Sequence, residues 1–361
     1  MTRPSLNALF ASLVTALTLS FTTTAQAQVG LAQLQAGDRP VTLLYPTSSM
    51  TQPTAFGRIT LDVAMGAEPT PGRHRLVLMS HGSGGSPAPD HALAATLVRA
   101  GFVVAQLLHE GDNYQDQRNP GPESYRLRPL EAVRAMDALA ADPVWSQRLD
   151  LSKVGVHGMS AGGVTALSLA GGQWRLLNQV RHCNAHLLED EGFCFAGALT
   201  PEDRAKRQSR YNSARFWPEF VLPSYLKTLH GGRTPGNDQS DPRPDPRIAS
   251  VTAAVPVSAI FSAESLARIR VPVGIVSAQS DEVLVPRFHS DHLLRHCTSC
   301  TQLADLPGGH FDVLWPWPDE LAREAAAKQV RGGLPTPGFD PALREAAHAR
   351  IAEFHRQNLL P

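Results

Sequence analysis

Apolar residues change period several times along the chain, and each change marks an element. Leu76-Val77-Leu78-Met79 and Phe102-Val103-Val104-Ala105-Gln106-Leu107-Leu108 lack polar alternation, as strands buried on both faces of a parallel sheet do. Between them Asp90 stands where a helix N-cap would, and Gly101 closes a helix that runs to Ala100. Residues 122–142 have helical spacing that predicts Leu130, Val133, Met136 and Ala140 facing inward. Val154 and Val156 then lead into Gly158-Met159-Ser160-Ala161-Gly162, after which Val164, Leu167 and Ala170 recur at helical spacing. That is strand, sharp turn, helix.

Further strands are expected over 248–257, 271–276 and 301–306, and a final helix starts at Asp340-Pro341 with Leu343, Ala347, Ile351 and Phe354 on one face. Near the start, 41–45 is an expected strand ended by Pro46, and 58–63 a second. Alternating strands and helices predict a doubly wound, mostly parallel α/β fold, in which ligands bind outside the carboxyl ends of the strands. The alternation stops between Gly171 and Asp245. A structureless stretch of that length is unusual inside a domain, so residues 172–246 are expected to form an inserted cap of short helices over the pocket. Its apolar patch includes Trp217 and Phe220, for which packing of cap on body competes with substrate contact.

With 361 residues, 42% hydrophobic and 18% charged, the chain can bury one large core plus a modest insertion. A formal net charge of +0 and the lack of a long basic run argue against nucleic acid or an anionic membrane as main partner and favour a small or neutral ligand. Residues 1–27 have the features of a cleavable signal peptide: Arg3, an apolar stretch from Ala8 to Phe21, and Ala25-Gln26-Ala27 before the cut. The apolar stretch is broken by Ser12, Thr15, Thr18 and Ser20 and falls short of the roughly 20 residues a bilayer requires. A periplasmic or secreted domain over 28–361 without a stable membrane anchor is therefore expected. In that compartment Cys183 with Cys194, and Cys297 with Cys300, read as two local disulfides. A soft-metal site on His289, His292, His296, Cys297 and Cys300 would require their shared helix to break, so a solvated histidine face and no metal are expected.

The candidate chemistry centres on Ser160. A Gly-x-Ser-x-Gly turn suits a serine whose backbone is strained, because glycines on either side let strand and helix approach. Ser80-His81-Gly82-Ser83-Gly84-Gly85-Ser86 follows an earlier strand and can converge several N–H groups on one anionic point. Asp281 follows a later strand and His310 follows the last, so the order is serine, acid, histidine. Glu282 is the nearest rival for the acid; Asp305 and Asp312 are more distant. In this arrangement His310 takes the proton of Ser160, Asp281 fixes the imidazole tautomer, and the N–H of Ala161 with one from Gly82 or Ser83 holds the oxyanion. His81, Met159 and Trp217 are candidates for lining the substrate pocket. His109-Glu110-Gly111-Asp112-Asn113 reads as loop or substrate rim, since nothing beside it in sequence supplies a nucleophile.

From Leu76 to Phe311 the chain resembles the α/β-hydrolase superfamily, and within it the dienelactone-hydrolase-like group that is also similar to platelet-activating-factor acetylhydrolases. The residues carrying this are Ser80-His81-Gly82-Ser83-Gly84-Gly85, His157-Gly158-Met159-Ser160-Ala161-Gly162-Gly163, Asp245-Pro246-Arg247-Ile248, Ser280-Asp281 with Pro286, and Pro307-Gly308-Gly309-His310-Phe311. The resemblance implies an α/β-hydrolase fold, a serine esterase without a cofactor, and Ser83 N–H as the second oxyanion donor. Dienelactone hydrolases proper carry cysteine at the position of Ser160, and the acetylhydrolases usually have a residue other than Met159 before the serine. A cutinase-like polyester hydrolase and a non-catalytic binding protein on the same fold are the alternatives, and the oligomeric state is not legible.

Overall fold

The runs without polar alternation lie in the middle of a ten-stranded sheet. The computed structural model describes residues 27–36, 39–198, 200–214, 244–328 and 332–361. Its strands are β1 (Gln28–Ala36), β2 (Arg39–Thr47), β3 (Gln52–Phe56), β4 (Ile59–Met65), β5 (His74–Ser80), β6 (Val103–Leu107), β7 (Leu149–Met159), β8 (Ile248–Ala254), β9 (Val273–Ala278) and β10 (Cys300–Leu306). They lie in the order β10-β9-β8-β7-β5-β6-β2-β1-β4-β3. The six strands from β5 to β10 are mutually parallel, while β2 runs antiparallel to both β6 and β1.

Side chains alternate across a strand, so β5 feeds two cores: Leu76 and Leu78 enter one, Val77 and Met79 the other. Helices α2 (Pro122–Ala141) and α4 (Ala161–Leu169) cover the first face. Helix α1 (His91–Arg99) and the terminal helix over Pro341–Leu359 cover the second. Among the described residues before β8 there are also the short helices α3 (Trp145–Arg148), α5 (Leu176–His186) and α6 (Glu191–Cys194), then α7 (Pro201–Ala214). The last three occupy the expected insertion; Trp217 and Phe220 lie outside the described residues, as does most of the expected leader. No helix among the described residues is long and apolar enough to cross a membrane.

Several expectations are corrected. β1 and β3 were not anticipated, and β2 does not stop at Pro46, which pairs with Val29. β6 pairs with β2 only over Val41–Leu44, so the missing N–H of Pro46 breaks no ladder on that side. Asp90 precedes α1, but its side chain makes no capping bond and is buried. The inward face of α2 is rotated from the expected one: Ala140 is exposed, Leu130 and Val133 are half-buried, and Tyr125, Arg128, Glu131, Ala132, Ala135, Met136 and Leu139 are buried. In the terminal helix Leu343 is exposed, and Arg344, His348 and His355 share the buried face with Ala347 and Ile351. Polar residues occupying core positions displaced both faces.

Candidate active site

Ser160 joins β7 to α4 with φ 55° and ψ −115°, a left-handed conformation that a side chain adopts only at a cost. The turn is held from three sides. Ser160 N–H donates to Ala254 O, and Ser160 O accepts from Gly163 and Val257 N–H. A Cβ at position 158 would lie 2.0 Å from Gly162 O, one at 162 would lie 1.9 Å from Ser80 O, and one at 163 would lie 2.5 Å from Cβ of Pro256. The glycines around the serine are therefore a packing requirement, as the motif predicts.

Asp281 and His310 meet. His310 Nδ1 lies 2.8 Å from Asp281 Oδ2, and both side chains are buried. Asp281 Oδ1 accepts from the N–H groups of Val283 (2.9 Å) and Leu284 (2.7 Å), which fixes the carboxylate. The rival acids are engaged elsewhere. Glu282 is exposed and, among the described residues, reaches only the backbone N–H of His310, not its ring; Asp305 bonds Ser277 and Gln279; Asp312 holds the N–H groups of Gly309 and Thr336. Ser160, Asp281 and His310 follow β7, β9 and β10, so all three lie at the carboxyl edge of one parallel sheet. A cleft of about 220 Å³ beside His310 is lined by Glu282, Phe311, Leu334, Pro335 and Thr336 among others.

The loop after β5 reaches the serine: a Cβ on Gly82 would stand 3.4 Å from Cβ of Ser160. The N–H groups of Gly82, Ser83 and Ala161 have no hydrogen-bond partner among the described residues. One pocket candidate is placed differently from expectation. His81 is buried, with Nδ1 bonded to Gly82 O at 2.7 Å and Nε2 accepting from His109 N–H, so neither ring nitrogen is left for a ligand. Burial, then His109 and Arg128, push its pKa well below the usual value and keep it neutral. Met159 is buried, and its Sδ is the atom nearest a Cβ built on Gly82, at 3.0 Å.

His109, Asp112 and Asn113 are not a rim either; all three are buried beneath the loop. His109 Nε2 lies 2.7 Å from Ser80 Oγ, and its Nδ1 bonds Glu131 Oε2. Sequence proximity could not supply this serine, because the parallel β5 and β6 bring it from 29 positions away. Arg128 and Glu131 were also missed. The sequence held no signal for them, because the expected inward face of α2 was the one through Leu130, Val133 and Ala140, and both lie on the face that is actually buried.

Both disulfides are present, Cys183–Cys194 and Cys297–Cys300, so neither cysteine of the second pair is free to bind metal. His289 is buried rather than solvated and joins His182 and Asp190, with potential ligand atoms within 4.8 Å of one another. The tautomer argues for a hydrogen-bond cluster. Ser258 N–H donates to His289 Nδ1, so the neutral ring carries its proton on Nε2 and donates to Asp190.

Neither a known family profile nor a curated protein sequence matches the chain. Among solved structures it is similar to a ferulic acid esterase from Streptomyces cinnamoneus, with a TM-score of 0.55 and 16% identity over 93% of this chain and 91% of that one. The fold is an α/β-hydrolase fold. At that identity the likeness extends to the fold alone. Within a hydrolase fold, the carboxyl edge that carries Ser160, Asp281 and His310 is where ligands bind.

Proposed function

We propose that the chain is an exported serine hydrolase that cleaves carboxylic esters of small molecules through an acyl-enzyme intermediate. The observation that carries this reading is the backbone of Ser160, a non-glycine residue held at φ 55° on a strand-to-helix turn that tolerates no Cβ at its flanking glycines. Asp281 accepts from His310 Nδ1, which leaves Nε2 as the base. His310 takes the proton of Ser160 as Oγ attacks the ester carbonyl, then passes it to the leaving alcohol; water repeats the sequence to release the acid. Ala161 N–H with those of Ser83 and Gly82 receives the oxyanion, each donor contributing about 3 kcal/mol. No cofactor enters this chemistry.

The reading of residues 172–246 as a cap, and the proximity of Phe311 and Leu334 to His310, support a small substrate with an apolar part over a polymer chain. An esterase on the same fold supports the reaction class. Export is supported by the leader-like residues 1–27 and by the two disulfides. The test is labelling by a fluorophosphonate, with Ser160→Ala as control, together with hydrolysis of p-nitrophenyl esters from acetate to palmitate. Labelling of the wild type alone and a preference for short acyl chains are expected. A wild type that does not react would favour a binding protein.

A further inference from the structure

Ser124, Arg128 and Glu131 lie at i, i+4 and i+7 of α2, the spacing at which a helix covering a sheet presents apolar side chains. All three are buried, and the Arg128 side chain and its partner Asp112 are both 0% exposed. A guanidinium taken so completely from water is costly unless its donors are met. Here they are met almost entirely by the loop beside Ser160 and by Asp112. Nε donates to Ser124 Oγ (2.7 Å) and Nη1 to His81 O. Nη2 donates to Gly82 O (3.3 Å), Asp112 O (3.2 Å) and Asp112 Oδ2 (2.8 Å).

Asp112 grips the same loop. Its Oδ1 accepts from Ser83 Oγ (2.6 Å) and Gly84 N–H (2.8 Å), and its Oδ2 accepts from Ser124 Oγ (2.7 Å). Burial alone would raise this carboxyl's pKa; Arg128, the two hydroxyls and the Gly84 N–H outweigh it and hold it below the ordinary range, so the pair is charged.

The consequence is directional. A trans peptide points its C=O and its N–H to opposite sides. With His81 O and Gly82 O both turned toward Arg128, the N–H groups of Gly82 and Ser83 turn away from it. Neither has a partner among the described residues, and Gly82 is the loop residue packed against Ser160. Unlike an apolar filler of equal volume, the fork of Arg128 fixes the orientation of two successive peptide planes.

We propose that Arg128 and Asp112 are positioning residues that aim the Gly82 and Ser83 N–H groups at the oxyanion. This rests on the reading of Ser160 as nucleophile. The experiment compares an activated ester with its thionoester, whose C=S accepts hydrogen bonds from amides poorly, across wild type, Arg128→Lys, Arg128→Met and Asp112→Asn. The variants are expected to lose a factor on the order of 10² in kcat on the ester. KM should change little, and the ester-to-thionoester ratio of kcat/KM should fall about tenfold. Lysine keeps the charge without the fork, so it should restore folding better than methionine without restoring the ratio. Equal losses on both substrates, or an unchanged kcat, would overturn the proposal. If Arg128→Met does not fold, the near-isosteric Asp112→Asn decides the matter by the same ratio. An active wild type whose Ser160→Ala variant is dead, with the ratio preserved in the positioning variants, refutes this inference alone. A wild type inert to both substrates and to fluorophosphonate refutes the nucleophile and this inference with it.

Discussion

Asp190 Oδ2 accepts a hydrogen bond from His289 Nε2 at 2.9 Å, across 99 positions of sequence. The same oxygen accepts from His182 Nε2 at 2.7 Å, while Oδ1 accepts from Val285 N–H at 3.2 Å. One carboxylate thus ties the segment after α5 to the loop that begins at Asp281. Burial alone would raise its pKa, but the two imidazole donors outweigh that and hold it below the ordinary carboxylate range.

A carboxyl with a depressed folded pKa adds stability above its unfolded pKa, and that stability is lost as pH falls through the folded value. Asp190→Asn should therefore cost about 1–3 kcal/mol at neutral pH, where a buried N–H of His289 or His182 loses its anionic acceptor. The gap to wild type should begin to narrow below about pH 4, where the unfolded carboxylate takes up a proton, and keep narrowing as pH falls toward the folded value. Urea unfolding of both proteins from pH 7 down to pH 3 measures it, and a gap independent of pH would show that the carboxylate contributes no charge-dependent stability.

The structure joins another serine to an imidazole and a carboxylate, Ser80–His109–Glu131, with a serine-to-imidazole distance of 2.7 Å. It differs from the Ser160 site in burial and backbone. Ser80 is 2% exposed and lies in β5, without a strained turn or a free set of N–H groups before it. Ser80→Ala is expected to keep fluorophosphonate labelling and most of its kcat, whereas Ser160→Ala loses labelling and a factor on the order of 10⁴ or more in kcat. Active-site titration of the two variants separates them, and loss of labelling in Ser80→Ala at unchanged melting temperature would reverse the assignment.

What could be read from the sequence, and what could not, follows the range of the interactions. The turn at Ser160 was legible because Gly-x-Ser-x-Gly is itself a local pattern, although Gly162 and Gly163 are required by Ser80 and Pro256, far away in sequence; the central strands were legible because burial on both faces removes polar alternation. Position in the turn favoured Asp281 over Glu282, and it is Asp281 that bonds His310 Nδ1. The polar layer under the Gly-rich loop was not legible. Arg128, Asp112, His109 and Glu131 are joined across β5, β6 and α2, and a charged residue on a helix reads as solvent-facing until its partner is known. The same holds for His289, whose partner Asp190 comes from the segment where strand–helix alternation stops.

The close contact at Gly162 predicts a structural failure distinct from loss of chemistry. A methyl group there would stand 1.9 Å from Ser80 O, which is backbone at the carboxyl end of a central strand and has little room to yield. Gly162→Ala should destabilise by about 3 kcal/mol or more, or prevent folding. Ser160→Ala should leave the melting temperature near that of wild type. Circular dichroism melts of the two variants distinguish the roles, and a Gly162→Ala protein that melts like wild type would contradict the packing described.

Asp90 gives a pH dependence of opposite sign. Its carboxyl, buried ahead of α1, faces a small cavity with His157, Arg344 and His348, and burial raises its pKa to about 7. Burial lowers the two histidines to about 3 and about 4, so both are neutral above pH 6 and supply no countercharge. Arg344 is drawn to the faces of Trp315 and Phe339, 5.3 and 5.7 Å from the ring centres. An acid whose folded pKa exceeds its unfolded one binds more protons folded than unfolded. Its cost to stability is therefore absent below about pH 4, grows as pH rises toward 7 and is constant beyond. A difference of about three pKa units corresponds to about 4 kcal/mol. Asp90→Asn, neutral throughout, should gain on wild type by up to that amount between pH 4 and pH 8. Chemical unfolding at pH 4.5, 6 and 8 reads the difference, and stability curves that stay parallel across that range would mean that Asp90 is ionised and paired in the folded protein.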